Sequence, residues 1–311
     1  SKLRYLILAT AIFTFLLIVI GIVLRVTDSG TMCPDWPTCY GDWKPPESTN
    51  ALIPYIHRAI AMSRGILLLV TTGWSVWRYR NLNWVYRPLL GALALLGVQI
   101  IIGREIVRLD SSPMLAAIHL GLALLVEAFL LVAVVSVFST RRTSIRLIYR
   151  SPFARLSLGT LGATFTVLVS GAFVAVSGAS TACPGWPLCT GAIIPADTLG
   201  WINFGHRVSS GVAAALSGWL VIRAWRTQRS QTAILVSTTA AGVLMVAQVL
   251  MGAFETAQGY PIYLLGLHVA TAVAVWATLV VQSPLTGIAK RTTAEEWEAA
   301  QAARGRTGVV K

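Results

Sequence analysis

The segment CPDWPTC at residues 33–39 recurs as CPGWPLC at residues 183–189, 150 positions further along the chain. The two copies share both cysteines, both prolines and the tryptophan, and together they contain all four cysteines of the protein. Such a match between two distant segments indicates an internal repeat. The sequence therefore predicts a duplicated chain with a period of about 150 residues.

The histidines follow the same repeat. His57 and His206 are 149 residues apart, as are His119 and His268, and the chain has no other histidine. An arginine follows the first histidine of each half. Each half therefore carries two cysteines and two histidines at matched positions, and we expect any site that they form to occur twice.

The composition is typical of a protein embedded in a membrane. Of 311 residues, 55% are hydrophobic and only 12% are charged, and the mean hydropathy is +0.69. A soluble protein carries about 25% charged residues. Apolar stretches long enough to cross about 30 Å of hydrocarbon recur along the whole length. The predicted spans are 5–25, 54–77, 88–106, 114–138, 155–176, 201–222, 232–254 and 262–283.

The distribution of basic residues predicts the orientation of these spans. Of the 25 lysines and arginines, 18 lie before the first span, after the last span, or in the connections that follow the second, fourth and sixth spans. Basic connections stay in the cytoplasm. We therefore expect both termini to be cytoplasmic and the cysteine loops to face outward, in a bacterial cytoplasmic membrane. The net charge of +13 follows from this bias and does not indicate nucleic-acid binding.

Four spans per repeat return each half to the membrane in the same orientation. The predicted fold class is an all-α integral membrane protein of eight transmembrane helices, built as two parallel four-helix repeats with a pseudo-twofold axis along the membrane normal. The predicted units are an N-terminal half (1–138), a cytoplasmic linker (139–154), a C-terminal half (155–285) and a cytoplasmic tail (286–311). The tail is expected to be a short helix or disordered.

The cysteines are predicted to form one disulfide within each loop, Cys33–Cys39 and Cys183–Cys189. Their outward-facing compartment is oxidising. The C-x5-C spacing differs from the C-x2-C of zinc sites, and no further ligand lies near in sequence. Each bond either staples its loop over a pocket or exchanges electrons with a partner. We favour the staple for the second pair and leave the first pair open.

The histidines are predicted to bind haem. Both histidines of each half fall near the outer ends of neighbouring spans that run in the same direction, so two imidazoles meet at similar depth. This arrangement suits the two axial ligands of an iron porphyrin, and the apolar walls suit its macrocycle. Structural histidines and another metal such as zinc or copper are the alternatives. Two sites near the outer face favour outer-side chemistry over electron transfer across the membrane.

The halves differ in charge around these histidines. The N-terminal half has three arginines where the C-terminal half has alanines. Arg64 lies about two turns inside the membrane, and we expect it either to pair with Glu127 at similar depth or to serve a function with it. Extra arginines on one side suit a transient anionic ligand there, because arginine binds carboxylates such as haem propionates in a bidentate manner. The matched positions are Arg25 and Ala175, Arg64 and Ala213, and Arg104 and Ala253.

These features resemble the haem A synthase family, which oxidises haem O to haem A, and the resemblance covers nearly the whole chain. It implies that His206 and His268, with Arg207, hold a haem b cofactor. It implies that haem O, the substrate, binds at His57 and His119. The reaction that the resemblance implies is the oxidation of a porphyrin methyl group to a formyl group. The arginines that would bind the substrate are Arg25, Arg58, Arg64 and Arg104.

One residue departs from the family pattern. The family has glutamate three residues before the first histidine, in the run Glu-Tyr-x-His-Arg, and this chain has Pro54 there, with Asn203 at the matched position. If that glutamate handles protons during the reaction, another group must do so in this chain, or the chemistry is altered or lost. Glu105, near the outer end of the third span, is the nearest replacement by depth and a candidate catalytic residue. Its alternative role is an ion pair with Arg104 or Arg108.

Two other functions stay open at this stage. A non-enzymatic bis-histidine membrane cytochrome or haem carrier would use the same ligands without turnover. A transporter with parallel repeats would fit the topology and leave the histidine pairs unexplained. Besides the lipid bilayer and haem O, a haem O synthase, a terminal-oxidase assembly partner and a second copy of the chain are expected partners.

Overall fold

The computed structural model describes residues 2–27, 29–109, 112–139, 146–189 and 194–289. Within these ranges, eight α-helices of 25 to 30 residues are long and apolar enough to cross a membrane. The predicted all-α membrane fold with eight spans is therefore confirmed. The helices are α1 (Lys2–Val26), α2 (Thr49–Arg78), α3 (Asn83–Arg108), α4 (Pro113–Ser139), α5 (Pro152–Val176), α6 (Thr198–Thr227), α7 (Thr232–Ala257) and α8 (Ile262–Gly287).

The helices that contain the second and third predicted spans begin before those spans. Helices α2 and α3 begin at Thr49 and Asn83, five residues before Pro54 and Pro88. Each proline lacks the N–H that would bond the carbonyl four residues earlier, and each helix continues through it. A run of apolar residues marks the part of a helix that crosses the hydrocarbon. A prediction based on such a run therefore omits the more polar turns by which the helix extends beyond the hydrocarbon.

The same helix contacts recur in the two halves. Helix α1 packs on α2 and α4, and α3 packs on α2 and α4; likewise α5 and α7 each pack on α6 and α8. The halves meet where α4 packs on α5 and α8, and where α1 packs on α8. Exchanging the halves turns the α4–α5 contact into the α8–α1 contact. In this interface the indole N–H of Trp276 donates to the Leu124 carbonyl at 3.1 Å.

Two ends of the bundle can be distinguished by their connections. At one end, β1 (Arg146–Leu147) pairs antiparallel with β2 (Ile288–Ala289), which ties the segment between the halves to the chain after α8. The opposite end, here called the cysteine end, carries the loops that join α1 to α2 and α5 to α6. Residues 140–145 of the predicted linker and 290–311 of the predicted tail lie outside the described residues.

Candidate functional site

Each histidine ring packs against a glycine of the preceding helix. A side chain at any of these glycines would press on the imidazole, because a Cβ atom there would lie about 3 Å from the ring carbon Cε1. The repeat therefore preserves four close helix crossings, each with a histidine in the gap. The pairs, with the distance from that Cβ to Cε1, are Gly21–His57 (3.2 Å), Gly103–His119 (3.1 Å), Gly171–His206 (2.9 Å) and Gly252–His268 (3.0 Å).

The structure brings the histidines together in two pairs. His57 and His119 are close enough to interact electrostatically, and so are His206 and His268. All four rings are partly buried. Across the residues with described positions, no cluster of three or more histidine, cysteine or acidic side chains could hold a bare metal ion. Two imidazoles per half suit a metal whose remaining ligands come from a macrocycle.

The two histidine pairs differ in their hydrogen bonds. In the C-terminal half, the Ser170 hydroxyl lies 3.0 Å from Nδ1 of His206, and the amide nitrogen of Gln248 lies 3.1 Å from Nε2 of His268. In the N-terminal half, Nδ1 of His57 and of His119 is buried with no hydrogen-bond partner among the described residues. Only the C-terminal pair is oriented by hydroxyl and amide groups within the described structure.

Both predicted disulfides are present. Cys33 bonds Cys39, and Cys183 bonds Cys189, so each bond closes its own loop at the cysteine end. All four cysteine side chains are buried although most of the residues between them are exposed. Each disulfide therefore forms the inner anchor of a loop whose outer surface is accessible.

Arg58 and Arg207 fasten these loops to the histidine helices. Each guanidinium donates to several backbone carbonyls of the adjacent disulfide loop, and each arginine directly follows a histidine. Most of the N–H groups of both guanidinium groups are therefore already used in hydrogen bonds to the loops. The predicted roles of Arg58 and Arg207 in binding haem groups stay predictions. The acceptors are Cys33, Asp35 and Thr38 for Arg58, and Cys183, Gly185, Pro187 and Leu188 for Arg207.

The three extra arginines of the N-terminal half differ in burial and in their proximity to the histidines. Arg25 and Arg64 lie within electrostatic range of His119, whereas Arg104 is exposed on α3. Arg64 is 2% exposed and donates through Nε to the Thr14 hydroxyl at 3.2 Å. Glu127, which is 1% exposed, attracts Arg64 without forming an ion pair within 4 Å in the described part of the chain. The expected direct Arg64–Glu127 pair is therefore replaced by a looser arrangement.

Comparison with known proteins places these features in one family. The profile of the COX15-CtaA family, described as cytochrome oxidase assembly protein, matches residues 4–52 and 46–280. The heme A synthase of Symbiobacterium thermophilum is 30% identical over 265 residues, which cover 81% of this chain and 85% of that protein. The heme A synthase of Exiguobacterium sibiricum is 28% identical over 261 residues (82% and 86%), and that of Geobacillus kaustophilus is 28% identical over 277 residues (84% of each).

The chain belongs to the COX15-CtaA family. The predicted resemblance to haem A synthases is thereby confirmed over most of its length. Within this COX15-CtaA member, Pro54 is buried in α2, one turn before His57 and Arg58. At the matched position in the other half, the Asn203 amide donates to the Ala179 carbonyl at 2.8 Å, and its oxygen accepts from Nε of Arg207 at 2.8 Å. Asn203 therefore braces the second loop, and Pro54 has no side-chain hydrogen-bonding group to do the same.

Glu105, the candidate replacement acid, lies in the last turn of α3. Its carboxylate forms an ion pair with Arg108 at 3.5 Å, and its side chain is 26% exposed. This is the helix-end ion pair that the sequence offered as the alternative. The catalytic role of Glu105 in this COX15-CtaA protein stays a prediction.

Sequence reasoning missed three polar side chains beside the C-terminal histidines: Ser170, Gln248 and Glu255. Gln248 could have been found, because Gln99 matches it 149 residues earlier. Ser170 and Glu255 could not, since their matched positions hold Ile20 and Ile106. Glu255 is 7% exposed, and its Oε2 lies 3.9 Å from Nδ1 of His268.

Proposed function

We propose that the chain is a haem A synthase that oxidises a porphyrin methyl group of haem O to a formyl group, with haem b as its resident cofactor. The observation that carries the proposal is the pair of matched bis-histidine sites, of which only one has its histidines oriented by neighbouring polar groups. Membership of a family whose relatives are synthases favours an enzyme over a carrier.

The residues of the C-terminal half fit haem b. His206 and His268 would hold it, and when bound the group supplies one-electron redox chemistry. Ser170 contacts Nδ1 of His206, the ring nitrogen through which a metal-ligating histidine is usually held by a neighbouring group, whereas Gln248 contacts Nε2 of His268, the nitrogen that iron would take. Gly171 and Gly252 keep the space beside the rings free of side chains. A site arranged in advance suits a cofactor that stays bound through many turnovers.

The residues of the N-terminal half suit haem O as a transient ligand. His57 and His119 would bind it, and Arg25 and Arg64 lie within electrostatic range of His119. Positive charge close to this site attracts the anionic propionate groups of a porphyrin. Fewer fixed hydrogen bonds at the histidines leave the site able to admit a substrate and release a product.

Proton handling in this half differs from the family pattern. A general acid must lie within hydrogen-bond reach of its proton, and Pro54 offers no such group. Glu105 or a chain of water molecules would have to take this role. We therefore expect slow turnover, since general acid–base assistance contributes roughly 10²–10⁴-fold.

The orientation forms part of the proposal. The cysteine end faces outward from a bacterial cytoplasmic membrane, and both termini lie in the cytoplasm. The bias of basic residues supports this orientation. Both histidine pairs then lie toward the outer side, where the oxidation takes place.

The decisive test is conversion of the substrate. The full chain is expressed in cells that make haem O, and haems are extracted from the purified protein and the membranes and identified by mass. Haem A or hydroxylated haem O, lost in His57→Ala, supports the proposal. Haem b alone, at full supply of haem O, would instead identify a bis-histidine cytochrome or haem carrier. Absence of any haem would favour the transporter.

A further inference from the structure

A buried acid beside His268 has no part in the function argued so far. Glu255 lies on α7, one helical turn beyond the glycine that faces the His268 ring. Its Oε2 atom and the Nδ1 atom of His268 are both buried, both lack a hydrogen-bond partner among the described residues, and lie 3.9 Å apart. Two unpartnered buried polar atoms that face each other call for an explanation, because such groups are normally satisfied.

The contacts of the other ring nitrogen define which tautomer His268 adopts. The Gln248 amide nitrogen lies 3.1 Å from Nε2 and donates to it, so Nε2 is an acceptor. A neutral imidazole then carries its proton on Nδ1, which is the atom that faces Glu255. In this tautomer iron would bind the Nε2 lone pair in place of the Gln248 amide.

We infer that Glu255 is a positioning residue for His268, whose carboxylate accepts a hydrogen bond from Nδ1–H when Nε2 binds iron. The inference rests on the proposed function, in which His268 is an axial ligand of haem b. A carboxylate behind a ligating histidine fixes the ring and raises its basicity. A more basic axial imidazole favours ferric over ferrous iron, so Glu255 lowers the reduction potential of the haem.

The C-terminal half has an acid at this position, and the N-terminal half does not. The position that matches Glu255 is Ile106, which has no carboxylate to offer His119. Glu105, next to Ile106, pairs with Arg108 instead. The resident haem would therefore have its potential set by a dedicated carboxylate, and the ligand bound at His57 and His119 would not.

The test is the midpoint potential of the bound haem in the purified full chain, measured by redox titration of its visible spectrum. Glu255→Gln keeps the shape of the side chain and removes its charge. We expect it to favour the ferrous form about ten-fold, which is a rise of 59 mV for a one-electron couple. The control is Glu47→Gln, which removes an exposed acid from the other half and should leave the potential unchanged.

Each outcome decides the inference. An unchanged potential and an unchanged ferric spectrum in haem-loaded Glu255→Gln overturn it. If Glu255→Gln loses haem, Glu255→Asp is measured: retention of haem in that variant supports a need for the carboxylate, whereas loss of haem in both shows that the residue serves helix packing. Failure of the proposed function looks different, because the unmodified chain would then bind no haem, or would keep it without His206 and His268.

Discussion

The two halves share their helix contacts, disulfide loops and histidine–glycine crossings, and they differ in what surrounds the histidines. The C-terminal pair has Ser170, Gln248 and Glu255 within reach of its ring nitrogens. The N-terminal pair has Arg25 and Arg64 in its surroundings instead. The two halves therefore place their two imidazoles in the same way. They differ in the neighbouring side chains, which on this account decide whether a ligand stays bound or is exchanged.

The two halves also differ at positions about two helical turns beyond the histidines. Arg64 and Glu127 of the N-terminal half correspond to Ala213 and Trp276 of the C-terminal half. Trp276 fills its position with a ring and bonds across the interface between the halves. Arg64 and Glu127 are both buried and attract each other, although no ion pair within 4 Å joins these two described residues.

Arg64→Ala gives the N-terminal half the alanine that the C-terminal half already has. We expect it to lower the free energy of unfolding by about 3 kcal/mol, because Glu127 then stays buried without a compensating charge. Adding Glu127→Gln should recover at least half of the loss. Thermal unfolding in detergent of the two single variants and the double variant measures this coupling. Strictly additive effects would show that the two charges do not compensate each other.

The arginines that hold the disulfide loops should behave alike in both halves. Arg58→Gln and Arg207→Gln each remove several hydrogen bonds from a charged donor to loop carbonyls. We expect each to cost about 2 kcal/mol of stability and to speed proteolysis of its own loop. Arg226→Gln, an exposed position at the far end of α6, is the control. A much larger effect in one half would mean that the loops, too, have diverged.

The glycines beside the histidines offer a graded series. An alanine Cβ would lie 2.9 Å from the ring at Gly171 and 3.2 Å at Gly21. Gly171→Ala should therefore displace His206 at a cost of about 1–3 kcal/mol and weaken haem b binding, whereas Gly21→Ala should leave haem b bound. Haem content and the reduced spectrum report both effects. Gly162→Ala serves as the control, because nothing lies within 4 Å of its Cβ. Equal loss of haem b in all three variants would contradict the assignment.

The smallest effect concerns one hydroxyl. Ser170→Ala removes one hydrogen-bond partner of Nδ1 of His206, and we expect a loss of about 1 kcal/mol, or roughly five-fold in haem b affinity. Ser209→Ala is the control, since among the described residues its hydroxyl bonds to carbonyls of its own helix and to no ring nitrogen. Haem transfer to apomyoglobin gives the relative affinities. An affinity in Ser170→Ala equal to that of the control would show that the hydroxyl does not orient the ligand.

Much of this architecture could be predicted from the sequence. Long apolar stretches indicate the membrane spans, the basic connections indicate their orientation, and the repeated motif indicates two matched halves. The disulfides and the pairing of histidines followed from the repeat. The contacts of Arg58 and Arg207 did not, since a position beside a histidine does not say where a long side chain reaches. Glu255 was missed because comparison of the halves finds matched residues, and the position that matches it is an isoleucine.

The central claim is that the C-terminal half holds haem b and the N-terminal half does not. It is tested most directly by the reduced haem spectrum of four purified variants, His57→Ala, His119→Ala, His206→Ala and His268→Ala. The account predicts a normal six-coordinate haem b in the first two variants and its loss, or a change to a lower coordination number, in the last two. A normal six-coordinate haem b in His206→Ala and His268→Ala, with its loss in His57→Ala or His119→Ala, would contradict it.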